Sequence, residues 1–232
     1  MNENEIAIQC KGIKKTYGDH ETKIEALKNI DLDVEKGKLT LLVGPSGSGK
    51  TTLLSIITTI LTPDEGQLLL LGKDTNLMSD TEKSKFCLDN LGIVFQSLFL
   101  VPTLTVLENI SLPLLIAGMD EQEAHKRGQE LLDKMGLANR GNVSPSQLSK
   151  GQQQRVAIAR AMVNQSKILI CDEPTSALDQ ATGLTIMSLL KEIAHDTSRA
   201  VLVVTHDHRT FPFADRIVTI SDGQILSGNE HE

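Results

Sequence analysis

The sequence predicts an α/β fold built on a mainly parallel β-sheet, and three observations lead to that prediction. First, short runs of almost only apolar residues occur at positions 39–43, 168–171 and 200–204. Such runs are typical of strands that are buried on both faces of a parallel sheet. Second, helical patterns follow the first run and separate the other two, as in strand–helix–strand units. Third, the N-terminal residues alternate between apolar and polar instead, which indicates an antiparallel β-subdomain.

The individual elements follow from local patterns. Positions 6, 8 and 10, and again 30, 32 and 34, are apolar, and this period of two predicts strands with one buried face. A helix is expected from Gly49 to about Ile60, because Pro63 cannot continue it. Another helix is expected over residues 181–194. Near the C-terminus, residues 216–220 and 224–226 flank Asp222 and Gly223, a hairpin turn signal.

The middle of the chain has a different character. After a short strand predicted at residues 92–95, an amphipathic helix is expected over 121–135, with Gly136 as its stop, and another over 152–163. Strand patterns return only after these helices. We therefore predict an α-helical subdomain at about residues 97–160 that is inserted into the α/β core of a single domain spanning residues 1–232.

Bulk composition narrows the classes of function. The formal net charge is -7 and the isoelectric point about 5.4, whereas duplex binding needs a basic surface, so we expect no nucleic-acid partner. The acidic start of the chain does not have the basic and apolar regions of a signal peptide, and no apolar run approaches the roughly 18 residues of a membrane span. Cys10, Cys87 and Cys171 lack metal-site spacing, which favours reduced thiols in the cytosol.

The segment from Gly44 to Thr51 fits the pattern G-x-x-x-x-G-K-[ST] of a phosphate-binding loop. Its glycines let the backbone wrap around an anion, and N–H groups at the start of a helix point at the β-phosphate. Lys50 would reach the β- and γ-phosphates, and the Thr51 hydroxyl would ligate Mg²⁺. A Gly/Ser-rich turn could match by chance, but the flanking strand and helix favour nucleotide binding. The predicted nucleotide-binding residues are Gly44, Pro45, Ser46, Gly47, Ser48, Gly49, Lys50, Thr51 and Thr52.

A second motif distinguishes among the kinases, GTPases and motors that share this loop. Residues 147–161 resemble the signature of ABC ATPases, usually written L-S-G-G-Q. Ser149 would stand at a helix N-terminus, where free N–H groups suit a γ-phosphate, with Gly151 and Gln152 beside it. Ser149 would equally cap a helix that binds no ligand, so the interpretation depends on the phosphate loop that precedes it. Lys150 departs from the family pattern, because it replaces the usual first glycine and adds a positive charge.

The resemblance to ABC ATPases implies a P-loop NTPase core of the RecA-like type, and it assigns roles to the remaining site residues. Residues 168–174 are similar to a Walker B strand, in which Asp172 would hold Mg²⁺ and Glu173 would act as general base on the attacking water. Gln96 resembles the Q-loop glutamine that senses Mg²⁺ and this water. His206 resembles the switch histidine that contacts the γ-phosphate of ATP. Without the other motifs, an acidic turn and a structural histidine would be the simpler interpretations.

The same resemblance implies partners and an adenine contact. Tyr17 is similar to the aromatic residue that stacks on adenine, although a tyrosine packed on an edge strand also fits the sequence. In the family two such domains pair head to tail, with ATP between Lys50 of one copy and Ser149 of the other, so we expect a homodimer on ATP binding. Residues 176–179 match the D-loop that crosses this interface. The apolar residues 97–113 form either helical-subdomain core or a groove for a separate membrane permease.

Three shorter segments resemble the MacB/LolD group of ABC transporter ATPases: residues 94–97, 104–109 and 152–155. Residues 205–209 and 214–216 are similar to the DevA-like exporters within that group. This implies export or extraction across the bacterial envelope through a permease like MacB or LolC/E, with a membrane-fusion adaptor. It also implies a cytoplasmic location on the inner face of the cytoplasmic membrane. An FtsE-like regulator of an envelope partner is the alternative, and only the partner distinguishes the two.

Soluble ABC proteins of DNA repair or the ribosome form a third class. Repair members carry a long coiled coil between the phosphate loop and the signature, and ribosomal members carry tandem domains. Residues 52–147 contain neither heptads nor a basic arm, which disfavours this class. A nucleotide-binding module without catalysis would be expected to lack Glu173 or His206, and both are present.

Overall fold

The computed structural model describes residues 5–18 and 22–226 of the chain. The strands in that part of the chain are β1 (Ile6–Tyr17), β2 (Ile24–Glu35), β3 (Leu39–Val43), β4 (Glu65–Leu70), β5 (Lys73–Asp74), β6 (Leu91–Val94), β7 (Ile168–Asp172), β8 (Ala200–Thr205), β9 (Arg216–Ser221) and β10 (Gln224–Leu226). The α-helices are α1 (Lys50–Ile57), α2 (Asp80–Asn90), α3 (Val106–Ile116), α4 (Glu121–Lys134), α5 (Lys150–Met162) and α6 (Gln180–Ala194).

The larger sheet has the strand order β10-β9-β3-β8-β7-β6. Its pairs are parallel except for the hairpin between β9 and β10 around Asp222 and Gly223, so the prediction of a mainly parallel sheet is confirmed. Alternate residues of its strands face two different apolar cores. In β3, for example, Leu41 faces a core shared with the helices α3 to α6, whereas Leu42 faces one shared with α1 and the N-terminal strands. Burial on both faces explains why these strands are continuously apolar.

The smaller sheet has the order β2-β1-β4-β5 and is antiparallel throughout, as the N-terminal alternation predicts. The alternation identifies β1 and β2 but not β4 and β5. Helix α2 is also absent from the sequence interpretation, because Phe86 is its only buried residue and it has no apolar stripe. A local signal for α2 does exist, since Ser79 and Glu82 form a reciprocal capping box at its start.

Along the chain, the helices α3, α4 and α5 come between β6 and β7, which are paired neighbours in the sheet. This confirms the predicted helical insertion into the core. Some predicted helix ends are wrong by a few residues. Helix α1 ends at Ile57 instead of about Ile60, because the Thr58 hydroxyl donates back to the Leu54 carbonyl and Thr59 adopts a φ of 60°. Helix α5 begins at Lys150 instead of Gln152, because Ser149 is its N-cap.

Candidate nucleotide-binding site

The predicted phosphate loop connects the end of β3 to the start of α1. Its backbone N–H groups therefore lie at a helix N-terminus, where they can bind an anion. Gly49 adopts a φ of 105°, and a Cβ there would lie 2.7 Å from the Ala26 carbonyl oxygen, so this position requires glycine. Gly47 faces open space instead, since a Cβ built on it would meet nothing within 4 Å. The Lys50 ammonium donates hydrogen bonds of 2.7 Å to the carbonyls of both Gly44 and Pro45, which holds its charge against the loop.

Gly44 and Ser48 form the buried base of the loop. A Cβ on Gly44 would lie 2.1 Å from the Ile220 carbonyl oxygen, so this glycine lets the loop pack against β9. The Ser48 side chain is buried, and its Oγ is among the few buried side-chain atoms in the described chain without a hydrogen-bond partner. Both residues therefore support the loop from below rather than line its open face.

Above the loop lies a cavity of about 560 Å³ that brings together most of the predicted site residues. Two further lining residues, Ala26 and Val204, carry no sequence motif that would have identified them. Ala26 reaches the site from β2, across from the loop. The predicted residues that line the cavity are Pro45, Ser46, Gly47, Gly49, Lys50, Thr51, Thr52, Gln96, Asp172, Glu173 and His206.

Glu173 is held in a fixed position at the end of β7. Its backbone N–H donates to the Val204 carbonyl at 2.8 Å, and its φ of 48° lies in the left-handed region that non-glycine residues rarely adopt. One carboxylate oxygen lies 2.6 Å from Nδ1 of His206, and the other accepts a hydrogen bond of 3.4 Å from the Thr205 hydroxyl. Two of the three predicted catalytic residues, Glu173 and His206, therefore contact each other directly, whereas the third, Gln96, does not take part in this contact. Thr205 is an additional contact that the sequence interpretation did not include.

Asp172 is the last residue of β7 and lies beside Glu173, with Lys50 across the cavity. Burial raises the pKa of its carboxyl group above the ordinary value, and the neighbouring Glu173 raises it further, while Lys50 opposes both effects. Within the described chain Asp172 forms no salt bridge. A carboxylate that is partly buried and lacks a cationic partner is suited to bind a cation.

Gln96 connects the cavity to the helical insertion. Its amide lies 3.5 Å from the Ser176 hydroxyl, which in turn donates to the Glu173 carbonyl at 3.0 Å. Beyond Gln96 the chain turns sharply, with Leu98 and Phe99 both at positive φ. The guanidinium of Arg160 in α5 donates to the carbonyls of both turn residues, so the turn is fastened to the insertion.

The signature residues lie apart from this cavity. Ser149 caps α5 by accepting from the Gln152 N–H, and the Gln152 side chain accepts from the Ser149 N–H at 3.0 Å, which completes a capping box. Ser149 and Lys150 are exposed, whereas Gly151 is buried. Neither Ser149 nor Gly151 nor Gln152 lines the cavity above the phosphate loop. Ser149 of one chain therefore stands outside the cavity that holds its own phosphate loop, although Lys150 lines a neighbouring cavity together with Gln96 and Glu173.

Tyr17 also stands outside the cavity lining. It is the last residue of β1 and pairs with Ile24, the first residue of β2, and both side chains are exposed, Tyr17 by 43% and Ile24 by 67%. An exposed aromatic face satisfies the requirement for stacking on a base. The adenine contact of Tyr17 stays a prediction.

A parallel sheet with a phosphate loop between β3 and α1, and with carboxylates at the end of β7, defines a P-loop nucleoside triphosphatase. The ABC transporter family matches residues 27–176, and the chain belongs to that family. Its MacB/LolD-like character is supported by the sequence relatives, and the chain is the ATPase subunit of an ABC transporter.

Two relatives of similar length match almost the whole chain. An uncharacterized ABC transporter ATP-binding protein of Methanocaldococcus jannaschii, MJ0796, is 44% identical over 222 residues, with 94% of each chain covered. The putative hemin import ATP-binding protein HrtA of Staphylococcus haemolyticus is 41% identical, with 95% of this chain and 99% of HrtA covered. The macrolide export ATP-binding/permease protein MacB of Pasteurella multocida is 38% identical, and the match covers 97% of this chain but 34% of MacB.

Solved structures show the same fold. The dimeric structure of the ATP-binding cassette MJ0796 in a post-hydrolysis state, bound to ADP and Pi, matches with a TM-score of 0.87 and 42% identity. That match covers 96% of this chain and 98% of the other. The cbiO1 subunit of the cbiONQ transporter complex from Clostridium perfringens also matches with a TM-score of 0.87, at 29% identity. The prediction of a P-loop NTPase core with two subdomains is therefore confirmed.

Proposed function

We propose that two copies of this chain close around ATP and thereby drive a separate membrane permease that exports or extracts a substrate across the bacterial envelope. The observation that carries the proposal is the separation between the phosphate loop and Ser149 within one chain. A helix N-terminus with an exposed serine suits a γ-phosphate, but its own chain offers none there. A second copy in head-to-tail orientation would supply it, and the solved MJ0796 cassette is dimeric with ADP and Pi bound.

Mg²⁺ is the cation that fits the cavity. The Thr51 hydroxyl, the Asp172 carboxylate and the Gln96 amide oxygen are hard oxygen donors of the kind that this ion prefers. The described residues contain no cluster of three His, Cys, Asp or Glu side chains that could hold a metal ion without help. Phosphate oxygens of the nucleotide would therefore complete the coordination. When bound, Mg²⁺ would neutralise charge on the β- and γ-phosphates.

Hydrolysis would be carried out by residues of the cavity wall. Glu173 would accept a proton from the attacking water, since its side chain is held between His206 and Thr205 beside the phosphate loop. His206 would contact the γ-phosphate and orient Glu173 at the same time. The backbone N–H groups of the loop and Lys50 would stabilise the phosphate charge. Ser149 of the partner copy would contact the γ-phosphate from the opposite side, so loss of that phosphate would loosen the dimer.

A groove where the helical insertion meets α2 and β6 supports the permease contact. It measures about 630 Å³ and lies between α2, α3 and α5. Leu112, Pro113 and Ile116 of α3 line it, and Ile116 is 66% exposed. An apolar groove of this kind suits the apolar face of a short helix. Arg160 lines the same groove and fastens the turn at Leu98 and Phe99. Phe95 also lines the groove and immediately precedes Gln96, so a permease seated there would lie next to the nucleotide sensor.

The location and the adaptor follow from this proposal. No helix among the residues that the structure describes is long and apolar enough to cross a membrane. We place the chain as a single ABC ATPase domain at the cytoplasmic face of the cytoplasmic membrane, held there by its permease. The similarity to MacB supports export, with a membrane-fusion adaptor as a further component, whereas the name of HrtA refers to import.

The decisive experiment replaces Glu173 by glutamine. Glu173→Gln keeps the size of the side chain but removes the general base, so we expect ATP binding to persist, turnover to fall by about 10²-fold or more and an ATP-bound dimer to accumulate. Size-exclusion chromatography with and without ATP measures the dimer. Glu192→Gln, at an exposed position of α6, is the matched control and should behave like the parent. A Glu173→Gln variant that turns over ATP normally, or stays monomeric with ATP, would contradict the proposal.

A further inference from the structure

Thr182, in the first turn of α6, is a residue that neither the motifs nor the family match assigns. It donates to both carboxylate oxygens of Asp179, the N-cap of this helix. The Thr182 N–H donates to Oδ1 at 3.0 Å and the Thr182 hydroxyl donates to Oδ2 at 2.6 Å. These hydrogen bonds lower the pKa of the Asp179 carboxyl group and keep it ionised. Asp179 is also the last residue of the predicted D-loop.

The methyl group of Thr182 faces the signature helix. A Cβ built on Gly151 would lie 2.4 Å from Cγ2 of Thr182, far inside the ordinary contact distance between carbon atoms. Gly151 is buried in the first turn of α5 and its φ lies outside the left-handed region, so its backbone does not require glycine. The close approach of Thr182 is the reason that a larger residue does not fit. One side chain therefore contacts the signature through its methyl group and the D-loop through its hydroxyl group.

Gly183, the residue after Thr182, packs against the segment that follows β7 and Glu173. Gly183 is buried, and a Cβ there would lie 3.5 Å from Cβ of Thr175. Thr175 is also buried and follows Glu173 by two residues. The first turn of α6 thus contacts the signature helix α5 on one side and, on the other side, the segment that follows Glu173.

We propose that Thr182 is a positioning residue that fixes the D-loop and the signature helix relative to each other, so that both meet the partner's nucleotide as one unit. This inference rests on the proposed ATP-bound dimer, in which Ser149 and the D-loop both cross to the other copy. Groups that act together on a transferring phosphate must be held within about half an ångström of their productive geometry. Thr182 supplies that constraint within one chain, although it touches neither ATP nor the cavity above the phosphate loop.

Two substitutions separate the contacts of Thr182. Thr182→Ser keeps the hydroxyl group that binds Asp179 and removes the methyl group that contacts Gly151. Thr182→Val keeps this methyl group and removes the hydroxyl group. In the Glu173→Gln background we expect each variant to weaken ATP-dependent dimerisation by about threefold to tenfold, the effect of losing one hydrogen bond or one close contact. Binding of a fluorescent ATP analogue to the monomer should be unchanged. In the Glu173 parent, kcat should fall by a similar factor and KM should change little.

A rescue experiment tests the contact with Gly151 directly. Gly151→Ala should collide with Cγ2 of Thr182, lower the unfolding midpoint and abolish the ATP-dependent dimer. The double variant Gly151→Ala, Thr182→Ser lacks Cγ2, so most of the unfolding midpoint and of the dimer should return. If the added methyl group acts by blocking the partner's phosphate, Thr182→Ser will not restore the dimer, and that result would overturn the proposal.

The outcomes separate this inference from the proposed function. Suppose that the Glu173→Gln protein forms the ATP-dependent dimer, and that the Thr182→Ser and Thr182→Val variants dimerise and turn over ATP as well as proteins with Thr182. That result would overturn only the positioning role. A parent that does not dimerise with ATP overturns the proposed function and the positioning role with it. The Thr182 variants are conservative, so they remain informative if Gly151→Ala does not fold.

Discussion

The backbone of Glu173 determines where its carboxylate points. A φ of 48° in a non-glycine residue costs on the order of 1–3 kcal/mol, and such strain persists where the surrounding structure enforces it. Here the enforcement is visible. The Glu173 N–H is bound to the Val204 carbonyl, and Pro174 follows immediately. The strained turn lifts the side chain out of the line of β7 and toward His206.

The contact between Glu173 and His206 can be tested against a neighbouring histidine. His206→Ala removes the group that lies 2.6 Å from Glu173, so we expect kcat for ATP to fall by about 10²-fold or more with a smaller change in ATP affinity. His208→Ala is the control, because the His208 ring packs on Phe211 and does not line the cavity. Steady-state ATPase assays compare the two variants. Equal losses in both would remove His206 from the catalytic site.

Sequence motifs identify the candidate site residues but not the contacts among them. Lys50, Asp172 and Glu173 are recognisable because each stands at a fixed distance from other motif residues along the chain. Ala26 and Thr182 are not, because their roles come from the approach of segments that are distant in sequence. No local pattern specifies that the methyl group of Thr182 will meet Gly151 across two helices.

At the level of elements, helix α3 confirms that the apolar segment 97–113 contributes to the core of the insertion, whereas the permease groove stays a proposal. Its residues Val106, Ile110 and Leu114 are buried in the core of the insertion. Pro113 and Ile116 lie on another face and line the groove. A helix presents different residues to different sides with a period of 3.6, and α3 is apolar on more than one side. Composition indicated burial, but only the structure divides it between core and groove.

The turn after Gln96 depends on one arginine of α5. Arg160→Lys cannot donate to the Leu98 and Phe99 carbonyls in the same forked geometry, so we expect the turn to loosen. Phe99 is 64% exposed, and cleavage beside it by chymotrypsin should become several-fold faster. Limited proteolysis followed by mass spectrometry measures this rate. Arg127→Lys is the matched control, because its exposed pair with Glu123 contributes little to stability. Equal cleavage in both variants would contradict this role of Arg160.

For the molecule as a whole, the reactivity of the three cysteines can be used to measure how tightly the core is packed. Cys10 and Cys171 are buried, and burial raises the pKa of Cys10 to about 12 and that of Cys171 further still. Cys87 is partly exposed and lines the groove between α2 and α3. Burial raises its thiol pKa above the ordinary value as well, although the Thr59 hydroxyl opposes this. The thiolate is the reactive form, and burial disfavours it at all three positions, so the three thiols differ chiefly in access.

We therefore expect a thiol reagent to modify Cys87 first in the folded protein, and all of the cysteines only after denaturation. Because burial raises the thiol pKa of Cys87, the thiolate is the minor form at neutral pH, and the rate should increase with pH and continue to rise beyond the pH at which an unburied thiol levels off. Absorbance of the released chromophore measures the rate. Cys87→Ser should abolish the fast phase. Rapid modification of Cys10 or Cys171 would show that the core opens more readily than its burial indicates.

The strand order of the larger sheet also affects when the nucleotide site can form during synthesis. Strand β3, which carries the phosphate loop, lies between β8 and β9, and both of these are translated long after it. Until then β3 lacks both neighbours, and its exposed edges are sites for misassociation. A ribosome must deliver residue 219 before β3 is paired on both sides along its length. Nucleotide binding would therefore report that nearly the whole chain has been made, and a nascent chain stopped before β8 would need protection from aggregation.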